Sequence, residues 1–487
     1  MFLQTGGRCW KVGTAPRAAV LVDVEAYYEA VMEALEKAER TVWFLNWAFE
    51  PGTRFRPRPK DEKGGEGIAE VLIRLAKARP HLDVRILCWQ SALPVAATQK
   101  FFPIADRSVF VDTPVKFVLD GKLPMGACHH QKAVIIDDAV AFCGGADIGQ
   151  DRWDTPRHAD DDPRRAVSGS HEYFPSRHEV MAVVDGPPAT ALGELFRQRW
   201  RRCVGEVIAP PIHAQNDPWP ANVVPMFHDA RIGLSRTEGR WRQWPEVREC
   251  EALQLAMIAG AKRRIYMENQ YFTSPIIAEA LAARLAEPDG PEVMLVSGES
   301  SPSYFDQLTM DPTRSRFIER LRAADHAGRF QIYGPVTTLG RGIIVHAKLT
   351  IIDDEVARIG SANMDNRSFG FDTECDLSIE ADGPGAATTR SRIAELRTTL
   401  VAHWLGCAPE TLEASCAREQ SLVRGVESLR QAGYCRLRPI PPKRLGPTAS
   451  LTATLHLGDP LTAWDSFRPW RRRRSLDNRR RLAKLGG

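Results

Sequence analysis

The sequence has no apolar run approaching the roughly 18 residues a helix needs to cross a bilayer, and its opening, MFLQTGGRCWKVG, has no continuous apolar segment of the kind an export signal carries. Neither a transmembrane helix nor a Sec signal is therefore expected. The expected location is cytoplasmic or peripheral at a membrane, with signal-independent secretion left open. Paired cysteines are also missing: the ten cysteines form no CxxC and no Cys/His cluster at zinc-ligand spacing, so reduced thiols and no metal centre are expected. A strong charge of one sign is missing too. The formal net charge is +4, and it is unevenly spread: residues 441–487 hold eleven Lys/Arg against three Asp, which leaves residues 1–440 at −4. That acidic bulk lacks the basic footprint of a nucleic-acid binder. With 43% hydrophobic and 26% charged residues over 487 positions, the chain reads as a soluble globular protein of two or three compact units.

What the sequence does contain is a repeat. HHQKAVIIDDAVAFCGGAD (129–147) is answered by VHAKLTIIDDEVARIGSAN (345–363), offset by 216 residues. The surroundings repeat as well: an apolar-periodic helix, a strand, a second helix and a second strand precede each segment, as in YYEAVMEALEKAER, TVWFLNWAFEPGT, IAEVLIRLAKA and DVRILCW. After each comes an acid-led strand, EVMAVVDG from Glu179 and ECDLSIEADG from Glu374, then a helix closing in Trp200 or Trp404. The alternation argues for an α/β fold of two pseudo-symmetric α-β-α sandwich repeats with mixed, mostly parallel sheets. The first repeat is expected over 1–210, a proline-rich linker over 211–225, the second repeat over 226–405, and a helical and basic extension over 406–487.

In an extended strand, residues two apart face the same side. His130 therefore points with Lys132, and His346 with Lys348. An aspartate five residues after the lysine has the opposite parity, which gives Asp137 and Asp353 a structural role at the strand end. The small-residue turns at Gly144-Gly145 and Gly360-Ser361 can bring backbone N–H groups close to a phosphate. Gly145 and Ser361 are accordingly the expected phosphate-binding positions, with Asn363 adding a neutral amide. Cys128 and Cys143 are expected to be packing residues, and His129 and His158 to lie outside the reacting centre.

The duplicated His-x-Lys-x4-Asp pattern resembles the signature of the phospholipase D superfamily. RWDTPRH (152–158), ENQYF (268–272) and GSANMDNRSFGFDTE (360–374) look most like its eukaryotic-type branch in a minimal bacterial form. The resemblance implies the phospholipase D fold with one active site between the repeats. One histidine, His130 by analogy, would attack phosphorus to give a phosphohistidine, and His346 would act as acid and then base. Lys132, Lys348 and Asn363 would hold the non-bridging oxygens. Glu179 and Glu374 would orient the imidazoles, much as the aspartate of a serine-protease triad does. No cofactor or metal is implied.

The implied activity is a phospholipase D, hydrolysing phosphatidylcholine or phosphatidylethanolamine to phosphatidate and headgroup, with transphosphatidylation. The alternative is a cardiolipin-synthase-like phosphatidyltransferase, and a further alternative is a nuclease or other phosphodiesterase. The expected partners are a phospholipid at a membrane surface and a water or alcohol acceptor, with no nucleic acid, for a monomeric protein. The tail RPWRRRRSLDNRRRLAK reads as a solvated end, a contact for anionic lipid or a contact for nucleic acid, with its neighbouring aromatics favouring the lipid surface.

Overall fold

The structure is a computed structural model that describes residues 1–59, 65–91, 102–166, 173–212, 214–434, 436–462 and 465. The arginine-rich tail and its expected lipid contact lie outside these residues. Among the described residues no helix is long and apolar enough to cross a membrane, and the nine cysteines are free thiols.

The first half supplies β1 (Lys11–Val22), β2 (Thr41–Asn46), β3 (Asp83–Trp89), β4 (Lys116–Asp120), β5 (Ala133–Ile136), β6 (Val140–Gly144), β7 (Arg177–His178) and β8 (Val180–Asp185). The second supplies β9 (Phe227–Glu238), β10 (Val247–Arg248), β11 (Arg264–Asn269), β12 (Glu292–Val296), β13 (Phe330–Pro335), β14 (Ile344–Val345), β15 (Lys348–Ile352), β16 (Val356–Gly360) and β17 (Glu374–Glu380). Residues beyond the repeats add β18 (Leu437–Pro439).

All but β7 and β14 join one sheet, in the order β18-β13-β12-β11-β15-β16-β17-β9-β1-β8-β6-β5-β2-β3-β4, with β10 beside β9. From the central β1/β9 pair outward the two halves mirror each other strand for strand, a pseudo-dyad that ends only where β18 extends the second half. The sheets of the two repeats are thus one sheet, welded by the long antiparallel pairing of β1 and β9 from Lys11↔Leu234 to Ala18↔Phe227. Its register skips Pro16, which has no N–H to give.

The α/β class holds, but the expected mostly parallel sheet needs correction. Within the sheet the parallel ladders are β2/β3, β3/β4, β11/β12 and β12/β13, and every other ladder is antiparallel. Parallel pairing needs a crossover, here helices such as Ile68–Ala78 and Pro275–Ala286. The inner strands instead arise from hairpins and from the central pair.

Strands such as β2, β8 and β17 have no exposed residue, because helices cover both faces. Helices Asp23–Lys37 and Ile68–Ala78 build an apolar cluster on one face of the first half, and Glu249–Gly260 and Pro275–Ala286 do the same for the second. On the other face, helices Pro187–Val204 and Ala386–Leu405 share a single apolar cluster that runs across the dyad. That shared core keeps the two motif strands at a fixed separation.

Candidate active site

Each motif ends in a tight hairpin. Asp137 and Asp138 have φ of 56° and 52°, and Asp353 and Asp354 have 52° and 61°. Positive φ at both central residues is what a type I′ reversal requires, and aspartate tolerates it better than most side chains. The first aspartate does a second job. Asp137 accepts the N–H groups of Glu39, Arg40 and Thr41 at 2.7–2.8 Å. Asp353 accepts those of Lys262, Arg263 and Arg264, the last two at 2.7 Å. Each carboxylate therefore clamps the entry to the neighbouring strand and is turned away from the histidine.

The histidines lie just upstream of β5 and β15, where the chain leaves its own half and pairs with the other. His130 N–H donates to Thr373 O at 3.0 Å, and His346 N–H donates to His178 O at 2.9 Å. That pairing sets each imidazole beside the glutamate of the opposite half. His130 Nδ1 is 2.9 and 3.0 Å from the two oxygens of Glu374, and His346 Nδ1 contacts Glu179. Both glutamates are fully buried, while the imidazoles keep 15% and 11% side-chain exposure. In each ring the nitrogen held by the glutamate is Nδ1.

Both lysines are completely enclosed. Lys132 Nζ donates to His130 O at 2.9 Å and lies 3.5 Å from Asp147 Oδ2. Lys348 Nζ donates to His346 O and to Gln270 Oε1, the latter at 3.3 Å. Asn363 stands where the first half has Asp147; its Oδ1 is buried without a partner.

One of the expected phosphate-binding positions, Ser361, is engaged elsewhere, and a second, Gly145, sits in a close contact. The Ser361 hydroxyl donates to Glu374 Oε2 at 2.5 Å and accepts from Cys375 N–H at 3.0 Å, and the Ser361 N–H donates to Cys375 O at 3.1 Å. Its hydroxyl is committed to Glu374 and its N–H to Cys375 O, so it is a support for the imidazole's partner and not a phosphate ligand. At Gly145 a Cβ would lie 2.5 Å from Glu179 Oε2, 3.1 Å from His346 O and 3.2 Å from the Lys348 side chain. Glycine is required there so that the opposite half can approach.

Sequence reasoning missed two cations beside these groups. Arg152 Nε, and Arg177 Nε and Nη1, are buried without hydrogen-bond partners. Both guanidinium charges act on His346. The signal was indirect: Arg152 falls within RWDTPRH, and Arg177 shortly before Glu179.

The electrostatics suit a nucleophile and a base. Burial, then the charges of Lys132 and Lys348, hold His130 well below the usual imidazole value. Burial, then Lys348, Arg177 and Arg152, do the same for His346. Lys348 is itself pushed down to about 7, chiefly by burial and further by Lys132, against the pull of Glu179.

His129 is fully buried with Nδ1 3.1 Å from Asp120, and Cys143 Sγ rests 3.7 Å from Cys375 Sγ. Both lie in the interior. His158 belongs to a group that the sequence spacing did not reveal: Asp23, His158 and His178 converge closely enough to offer ligand atoms to one cation. Asp23 Oδ1 already accepts from Glu179 N–H at 3.2 Å, and both His178 nitrogens are hydrogen-bonded. Asp23 Oδ2 and His158 Nε2 make no hydrogen bond but face each other at 3.6 Å, so the cluster is an ion network closed on itself.

Residues 255–395 match the family described as "Cardiolipin synthase, PLD-like domain". The chain is similar to the cardiolipin synthase of Geobacillus kaustophilus, 24% identical over 380 residues covering 76% of this chain and 64% of that protein. It is likewise similar to cardiolipin synthase 2 of Bacillus cereus, 28% identical over 326 residues covering 66% and 55%. It therefore spans somewhat less than two thirds of these relatives' length. Among solved structures, the phosphatidylserine synthase of Haemophilus influenzae aligns over 86% of this chain and 95% of its own, with a TM-score of 0.53 at 14% identity, a likeness of fold.

Proposed function

We propose, since the chain belongs to the phospholipase D superfamily, that it is a phosphatidyltransferase of the cardiolipin-synthase type, moving a phosphatidyl group from one phospholipid to an alcohol acceptor through a phosphohistidine. The crossed arrangement supports this two-step chemistry: His130 leans on Glu374, and His346 on Glu179. Neither half has a complete site alone, so the two imidazoles serve one phosphorus. His130 attacks and His346 protonates the leaving alcohol, then deprotonates the acceptor. Lys132, Lys348 and the free N–H groups of Arg152 and Arg177 stabilise the charge on the phosphoryl oxygens.

This reading takes the alternative raised by the motifs in place of the first expectation. Transfer in place of hydrolysis of phosphatidylcholine or phosphatidylethanolamine is supported by relatives that bear the name cardiolipin synthase. The test is incubation with labelled phosphatidylglycerol as the sole lipid, beside a parallel reaction on phosphatidylcholine in water. Cardiolipin and glycerol from the first reaction support the proposal. Phosphatidate from the second, with no cardiolipin from the first, would return the assignment to a hydrolytic phospholipase D.

A further inference from the structure

The reacting groups leave His178, Glu268 of ENQYF and Asp23 without a role, and the fold joins all three in one buried line. His178 Nδ1 is 2.8 Å from Asp23 Oδ1, and its Nε2 is 2.7 Å from Glu268 Oε2. Glu268 Oε1 accepts from Trp404 Nε1 at 2.8 Å and from the Tyr266 hydroxyl, so Glu268 is an acceptor throughout. A neutral imidazole can donate from only one nitrogen. With a carboxylate against each, His178 is an imidazolium. Burial alone would oppose that charge, but Glu268 and Asp23 raise the group to about 10. The remaining neighbours are the His158 ring at 6.0 Å, the edge of Trp404 at 4.5 Å, and His403.

This line ends on the candidate active site. The His178 carbonyl accepts the His346 N–H, Asp23 N–H donates to Glu179 O at 2.8 Å, and Asp23 Oδ1 takes the Glu179 N–H. At the other end, Glu268 lies in β11 opposite Leu349, with Asn269 opposite Lys348. The dyad has no second copy: register places Leu45 and Thr373 where the other half has Glu268 and His178. The orienting glutamate of His346 is therefore held by ions. The segment leading to Glu374 is held by backbone pairing and by the Ser361 hydroxyl.

We propose that His178, clamped between Asp23 and Glu268, is a positioning residue that holds the Glu179–His346 pair in register from behind and so serves the steps in which His346 moves a proton. This inference rests on the acid/base role assigned to His346 above, and not on the identity of the lipid.

The test uses the full chain and bis(p-nitrophenyl) phosphate, whose leaving group departs without acid help, so that the first burst of nitrophenol reports attack by His130 and the steady rate reports base catalysis by His346. Glu268→Gln should keep the burst and lower the steady rate about 10- to 100-fold, with KM little changed. The same substitution in a Glu179→Gln background should cost nothing more. His346, and not His130, should change its rate of acylation by diethylpyrocarbonate, read by mass spectrometry without any turnover. An equal fold-loss in both backgrounds, or a loss that tracks only the folded fraction, overturns the proposal. Should Glu268→Gln fail to fold, Tyr266→Phe removes a single donor from the same carboxylate and carries the same expectation. Diester turnover without phosphatidyl transfer would instead count against the lipid assignment alone.

Discussion

Replacing Glu374 and Glu179 by glutamine, one at a time, tests the crossed pairing directly. In Glu374→Gln the amide oxygen can still accept the His130 Nδ1–H, and Ser361 Oγ, which already accepts from Cys375 N–H, can also receive the new NH2. Geometry is largely kept, and the negative charge is lost. What disappears is the stabilisation of the charge that builds on the imidazole in the transition state, inside a site whose glutamates are wholly excluded from water. A charge-assisted bond in so dry a setting is worth more than the roughly 1.5–3 kcal/mol typical of hydrogen bonds to charged groups. About 3–5 kcal/mol is expected here, a fall of roughly 10²- to 10⁴-fold at 1.36 kcal/mol per decade. The assay is a rapid quench with radiolabelled bis(p-nitrophenyl) phosphate, whose leaving group departs without acid help, followed by detection of acid-labile, base-stable phosphoprotein. Glu374→Gln should slow formation of the intermediate, while Glu179→Gln should let it form and persist. If both variants accumulate the same amount, or either loses less than about threefold in rate, the assignment of separate partners to separate steps is refuted.

Asp137→Asn should keep the left-handed turn, which asparagine also tolerates, but lose the charge that receives three N–H groups; a stability loss of about 2–4 kcal/mol is expected in urea unfolding, with near-normal turnover per folded molecule. Gly145→Ala forces a methyl group to within 2.5 Å of Glu179 Oε2; activity should fall at least about tenfold, against a modest stability cost of about 1–3 kcal/mol, and unchanged turnover would show that this close approach is dispensable. Lys348 gives a pH dependence with a definite sign: its folded value of about 7 lies below the ordinary 10.5, so the unfolded chain binds more protons between those values and stability should rise with pH through that window. Lys348→Met should flatten the rise, and in the wild type the affinity for inorganic phosphate should weaken as pH climbs past about 7; an identical stability slope in the variant would contradict the low value.

The His/Lys strands are legible in the sequence because a period-2 pair at the mouth of an apolar run, followed by Asp-Asp, occurs twice, and both occurrences must meet the same backbone demands. The crossed glutamates are not legible, since the choice of partner depends on β7 and β14 pairing between residues 344–345 and 177–178, a contact with no local signature. The dyad strands were missed for a different reason. KVGTAPRAAVLV in β1 carries Pro16, Gly13 and a half-exposed first section, which blur the alternation a strand needs to be recognised. Ser361 was misassigned because a small residue in a turn suits either a phosphate or a neighbouring side chain, and only the position of Glu374 decides between them. The Asp23–His178–Glu268 line is assembled from three separate segments, so no spacing rule could have joined them.

Duplication raises a chemical problem that the neighbours of the two imidazoles resolve. A two-step transfer needs one histidine to carry phosphorus and the other to carry protons, yet a dyad tends to make them equivalent. The His/Lys strands, the turn aspartates and the crossed glutamates are all duplicated, so none of these can tell the histidines apart. The differences lie one layer out. Lys132 faces the carboxylate of Asp147, whereas Lys348 faces the amide of Gln270. Arg152 and Arg177 act on His346 and not on His130 among the leading influences. The buried imidazolium of His178 backs Glu179, and Thr373 occupies its place before Glu374. A base that must gain and lose a proton in every cycle benefits most from a partner carboxylate that cannot drift. The histidine with the ion-anchored partner is His346, and that one-sided support is what favours the acid/base role proposed for it.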